Sequence, residues 1–125
     1  LSFEEEDHSS GSLWNNDFFD RQMISSLLET LGEHKVRELL KNVFEKTDEI
    51  VQDLESSIEA GHLQEISARA HELKGMAGNF ALLKLHNLAA ELERDIKTKA
   101  GANAQHLLEK INEMHLEIKD TFSKS

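Results

Sequence analysis

In Ala70-His71-Glu72-Leu73-Lys74-Gly75-Met76-Ala77-Gly78-Asn79-Phe80, apolar side chains recur at Ala70, Leu73, Ala77 and Phe80, in steps of three and four. That is the spacing of one face of an α-helix, and Ile66 carries it back toward Leu63. His71 lies about 100° around such a helix from Ala70, on the margin of the face that the stripe buries. Counting by threes and fours from His71 picks out a second line along the same helix: Ser67, His71, Lys74, Gly75 and Gly78. This line holds one nucleophile, one cation and almost no bulk. Two glycines inside a helix cost about 1 kcal/mol each relative to Ala, so a sequence otherwise built for helix must have a use for them. Close packing against a neighbouring helix is one such use. Because both glycines share the line of His71 and Lys74 rather than the Leu and Ala stripe, they predict instead a flat face. Ser67, Gly75 and Gly78 would let another protein's backbone come up to the imidazole.

Working outward, Val36, Leu40, Val43, Ile50, Leu54 and Ile58, widened by Leu39, Phe44 and Val51, predict one long amphipathic helix from about Glu33 to Ala60, stopped by Gly61. On the other side, Leu85, Leu88, Ala89, Leu92 and Ile96 form a stripe out of phase with the one before it. Continuing the earlier phase would turn Lys84 and Asn87 inward, so a hairpin turn is expected near Phe80 to Leu83. Lys97, Lys99 and Gly101 suit the close of that helix. A last helix is expected from an Asn103 cap, with Ala104, Leu107, Ile111, Met114, Ile118 and Phe122 inward. At the front, Asn16 and Asp17 can cap a short helix carrying Phe18, Ile24, Leu27, Leu28 and Leu31, which Gly32 can end in the left-handed conformation. Residues 1 to 15, crowded with acidic and small polar side chains, are expected to be a flexible acidic linker, leaving 16 to 125 as the domain. The predicted fold is all-α: an antiparallel four-helix bundle with an additional short N-terminal helix.

Composition narrows the function classes. The 125 residues fit one domain, with no Pro to break helices and no Cys to cross-link them. A formal net charge of -10 argues against nucleic acid and anionic membrane surfaces, both of which need a cationic footprint. No apolar run approaches the roughly 18 residues of a membrane span, no signal-peptide pattern is present, and the lack of Cys suits a reducing compartment. The expected location is the cytoplasm. Seven histidines invite a metal site, but Glu-x-x-His occurs only at Glu5 with His8 and at Glu59 with His62, the latter astride Gly61. No two histidines stand three or four apart, so no metal site is expected and the six histidines other than His71 should lie at the surface. Neither Gly-x-x-x-x-Gly-Lys-Ser/Thr nor Gly-x-Gly-x-x-Gly occurs, so no ATP site is expected.

Phosphoryl transfer is the chemistry that best suits a semi-exposed His with a Lys one turn on. An imidazole, with a reference pKa near 6.5, is a good nucleophile at neutral pH and splits a difficult transfer into two easier ones. The transition state spreads negative charge over equatorial oxygens, which a cation on the same helix face can stabilise. An isolated His and Lys would be no more than a solvated helix surface.

The stretch as a whole resembles the histidine-containing phosphotransfer (HPt) domain of two-component phosphorelays. The resemblance rests on Ala70, His71, Leu73, Lys74, Gly75 and Gly78, then Asn79, Phe80, Leu82 and Leu85, and the run Leu88-Ala89-Ala90-Glu91-Leu92-Glu93. It implies that His71 is the phosphoacceptor, that Lys74 assists the phosphoryl oxygens and that Gly75 and Gly78 open the docking face. It further implies a monomeric carrier, not an enzyme with its own ATP site. Its partners would be receiver domains of response regulators, which supply donor and acceptor aspartates and the Mg²⁺, so the carrier needs no cofactor. Glu93 is placed to hold the second imidazole nitrogen, as a polar group on the neighbouring helix often does in this family. Two positions depart from the family pattern: Ala81, where many members have Gly, bears on the turn after the active helix, and His62, where many are acidic, leaves that helix without an obvious cap. The Leu1 start and acidic tail lead to the expectation of a C-terminal module of a hybrid sensor histidine kinase, tethered to a membrane-bound sensor. The reading from another class is a helical protein-interaction module without phosphoryl chemistry.

Overall fold

The computed structural model describes residues 13–125. Five helices succeed one another: α1 (Arg21–Leu31), α2 (Glu33–Ala60), α3 (Leu63–Asn79), α4 (Leu83–Lys99) and α5 (Ala104–Ser123). No strand occurs among the described residues. Each long helix packs on its successor, α2 on α3, α3 on α4 and α4 on α5, and α2 meets α5, while α1 lies against α2. The buried face of α3 is Ile66, Ala70, Leu73 and Ala77, and that of α4 includes Leu85, Ala89 and Leu92. These are the stripes the sequence predicts, and both Lys84 and Asn87 are exposed.

The ends of the helices follow local chemistry. Gly61 closes α2 in the left-handed conformation (φ 73°, ψ 27°), as expected of a C′ glycine. Gly32 has a positive φ of 85° but an extended ψ of 154°, so it ends α1 and opens α2 as a sharp corner rather than a left-handed cap. The turn between α3 and α4 forms where the phase break places it, and Ala81 adopts a positive φ of 63° there. This is the backbone that glycine would take without strain, at a cost of about 1–2 kcal/mol for an L side chain. The cost is met by packing, since Ala81 is buried and its carbonyl accepts from the Asp20 N–H at 2.7 Å.

Asp20, not Asn16 or Asp17, caps α1 by accepting from the Met23 N–H at 3.0 Å; Asn16 instead accepts from the Phe18 N–H. Leu31 is exposed, whereas Phe18 precedes α1 and packs in the core. Asn103 stands at the start of α5 without capping it, because its amide and its backbone N–H both donate to the Asp95 carboxylate at 3.0 Å. Leu13 and Trp14, assigned to the linker, are core residues, Leu13 being 1% exposed, while residues 1–12 lie outside the described residues. Trp14 and Phe19 stack tilted at 5.6 Å, and the Arg37 guanidinium lies over both Trp14 and Phe122. Burial of Leu13, Trp14, Phe18 and Phe19 draws the chain into the fold before α1 begins.

Candidate functional site

His71 projects from the middle of α3 with its side chain 69% exposed. Its neighbours in the sequence face opposite ways. Glu72 pairs with Arg69 at 3.0 Å and with Lys46 of α2 at 3.5 Å. His71 and Lys74 turn instead toward α4. There the Glu93 carboxylate takes His71 Nδ1 on Oε2 at 3.0 Å and Lys74 Nζ on Oε1 at 2.8 Å. Lys97, one turn further along α4, approaches Oε2 at 3.8 Å.

Glu93 is therefore the hub of the site, and its own side chain is only 11% exposed. The hydrogen bond from Lys74 lowers its pKa most; burial works in the opposite direction, and the bond from His71 again lowers it, with a net shift downward from the ordinary 4.5. A carboxylate so held is an acceptor only at neutral pH, so the ring nitrogen facing it must carry the proton. This fixes the tautomer: Nδ1–H donates to Glu93, and the free lone pair resides on Nε2, on the exposed ring. A buried carboxylate that orients an imidazole through Nδ1 leaves the outer nitrogen free for nucleophilic attack.

The five residues of the predicted line are not equivalent in space. Ser67 is half-buried one turn before His71, and Gly75 is exposed, with nothing within 4 Å of where a Cβ would stand. That is the open surface expected. Gly78 is not part of it. A Cβ there would meet the His86 ring, 3.1 Å from Nδ1 and 3.5 Å from Cε1, so α4 approaches α3 closely at this position. Lys74 is also less free than a residue on an open line: its side chain is 31% exposed and held by Glu93.

The Hpt domain family model matches residues 38–121, which take in most of α2 and all of α3 and α4. The chain belongs to the Hpt domain family. This Hpt domain is 33% identical over 84 residues to the sensor histidine kinase AruS of Pseudomonas aeruginosa, a match covering 67% of the chain but 8% of that much longer relative. It also shares its fold with histidine-containing phosphotransfer protein B (HptB) of Pseudomonas aeruginosa PAO1. That crystal structure superimposes with a TM-score of 0.78 at 24% identity, over 85% of this chain and 91% of the other.

Several polar side chains in this Hpt domain escape a reading of the sequence stripes. His86 donates from Nδ1 to the Lys74 carbonyl at 2.9 Å, and His115, on α5 and 1% exposed, is bonded through Nε2 to Asp48 of α2 at 2.7 Å. Neither lies at the surface as expected. The signal for His115 was available in the spacing Ala104, Leu108, Ile111, His115 and Ile118, a regular four-three alternation that forms the buried face of α5. Leu107, Met114 and Phe122, chosen instead, are only partly buried at its margin. Among the described residues no three His, Cys, Asp or Glu side chains are placed to share one metal ion, and no helix is long and apolar enough to cross a membrane.

Proposed function

We propose that this Hpt domain is a phosphocarrier of a two-component phosphorelay, with His71 as its phosphoacceptor through Nε2. The Nε2 lone pair attacks the phosphorus of an aspartyl phosphate on a receiver domain. The N–P bond forms as the acyl O–P bond breaks, and the receiver aspartate departs as a carboxylate. Nδ1 keeps its proton on Glu93, so the positive charge gained by the ring faces a carboxylate that stays ionised. Lys74 supplies a cation for the equatorial oxygens, and the same steps in reverse pass the group to a second receiver. Mg²⁺ is held by the receiver's own carboxylates, so the carrier contributes only nucleophile, cation and shape. The four long helices act as an antiparallel bundle that keeps α3 and α4 in register, with Ser67 and Gly75 on the face that meets the receiver. The domain works as a monomer, without an ATP site, in the cytoplasm as a module of a hybrid sensor kinase whose sensor is membrane-bound.

The observation that carries this reading is an exposed imidazole whose inner nitrogen is held at 3.0 Å by a buried carboxylate, itself paired with a lysine at 2.8 Å. The test is incubation with a phosphorylated receiver domain and Mg²⁺. Acid-labile, base-stable phosphate should appear on the wild type and vanish in His71→Gln. A wild-type chain left unmodified by a panel of phosphorylated receivers would point instead to a helical adaptor.

A further inference from the structure

α4 grips Lys74 at both ends. Glu93 takes its ammonium at 2.8 Å, and His86, seven residues and two turns earlier on the same helix face, reaches its backbone carbonyl through Nδ1 at 2.9 Å. A carbonyl only accepts, so His86 must present Nδ1–H, and does so in either the neutral or the charged ring. Ring and carbonyl can come this close because residue 78, one turn beyond Lys74, is glycine: a methyl group there would stand 3.1 Å from the same Nδ1. The mid-helix glycine, the half-buried histidine and the doubly accepting carbonyl are one device.

Resting on the phosphocarrier reading above, we propose that His86 is a positioning residue for phosphoryl transfer, and that Gly78 exists to seat it. The hydrogen bond fixes the turn of α3 that carries Lys74 against α4, and so sets where the ammonium stands relative to the His71 ring and to Glu93. Side-chain pairing alone leaves Lys74 free to slide along α3's surface, because its stem has four rotatable bonds. Anchoring its backbone to the helix that bears Glu93 fixes the point from which that stem reaches before the receiver arrives, which is where preorganisation contributes to rate.

Two independent measurements test this. A long-range ¹H–¹⁵N spectrum of the whole chain should show His86 in the Nδ1–H tautomer, the less common one for a free imidazole; an Nε2–H tautomer would overturn the proposal without reference to any phosphoryl chemistry. Single-turnover transfer from a phosphorylated receiver, followed against receiver concentration, gives the second. His86→Ala should lower the maximal rate about tenfold, the scale of one hydrogen bond, and leave the half-saturating receiver concentration unchanged. His86→Asn, whose amide can donate from the position of Nδ1, should recover most of the rate. Gly78→Ala should reproduce the loss in the wild-type background and add nothing in His86→Ala. A Gly78→Ala effect of equal size in both backgrounds, or one that raises the half-saturating concentration, would return that glycine to the docking face and overturn its role as a seat. His86→Ala transferring at the wild-type rate would overturn the positioning role while leaving the carrier function standing, whereas failure of the wild type itself would remove the carrier function.

Discussion

Glu93 does two jobs at once. As a charged acceptor it selects the imidazole tautomer, and as a counter-ion it holds Lys74 beside the ring. The two can be separated by substitution. Glu93→Gln keeps an oxygen for Nδ1–H but loses the charge, so transfer should slow by about tenfold. Glu93→Leu removes both and should slow it by about a hundredfold, while Lys74→Ala, which spares the tautomer, should fall between the two in single-turnover assays. Equal rates in Glu93→Leu and the wild type would show that the imidazole needs no orientation. The downward pKa shift also fixes the sign of a stability effect: the native state favours the carboxylate, so Glu93 stabilises the fold above its ordinary value of 4.5, and that contribution is lost as pH falls through its depressed native value. At this scale the juxtaposition of His71 and Lys74, an imidazole and a cation one turn apart, was legible. Glu93 was not legible from periodicity, because it lies 22 residues from His71 on a different helix, and only the family resemblance pointed to it.

At the scale of elements, the two glycines of α3 separate cleanly. Gly75 faces open space, so Gly75→Ala should raise stability by up to about 1 kcal/mol in denaturant titrations, as a Gly-to-Ala change within a helix does when nothing is crowded. Gly75→Leu should keep the fold but weaken receiver binding through bulk. Undiminished binding would show that this face is not the docking surface. The pairing of α5 with α2 has a pH response of its own. Burial pushes the His115 pKa below its ordinary 6.5, against the opposing pull of Asp48 and with a smaller contribution from Lys119 in the same direction. Its Nδ1 is buried without a partner, so protonation would add a second N–H with no acceptor. Asp48, whose own burial is outweighed by the bonds from His115 and Lys119, stays ionised well below that range. The unfolded chain therefore takes up the proton first as pH falls below 6.5, and stability should drop over that interval. His115→Gln, which keeps a donor for Asp48 but cannot titrate, should flatten the slope between about pH 7 and pH 5. A slope identical to wild type would assign it to other groups. Helix spans and the turn after Phe80 were legible because phase breaks and glycines mark them. The role of Gly78 was not, since a helix position does not say which neighbour stands opposite.

For the whole molecule, the core is built by α2 to α5 in ring-like succession, and the segment before α1 is tied onto the turn that follows the active helix. Asp20 N–H reaches the Ala81 carbonyl, and Lys84 pairs with Asp17 at 3.0 Å. Composition had assigned Leu13 and Trp14 to the acidic tail because their neighbours are polar, and only the packed structure shows that the tail's apolar end completes the core. The architecture thus presents His71 outward and backs it with two helices, α3 for the ring and the lysine, α4 for the carboxylate. The proposed carrier role depends on which nitrogen of the His71 ring is free. The most direct measurement is ³¹P and ¹⁵N NMR on the phosphorylated chain. A phosphoryl group bonded to Nε2 of His71, with Nδ1 still carrying its proton, is the predicted result; phosphate on Nδ1, or on any other side chain, would contradict it.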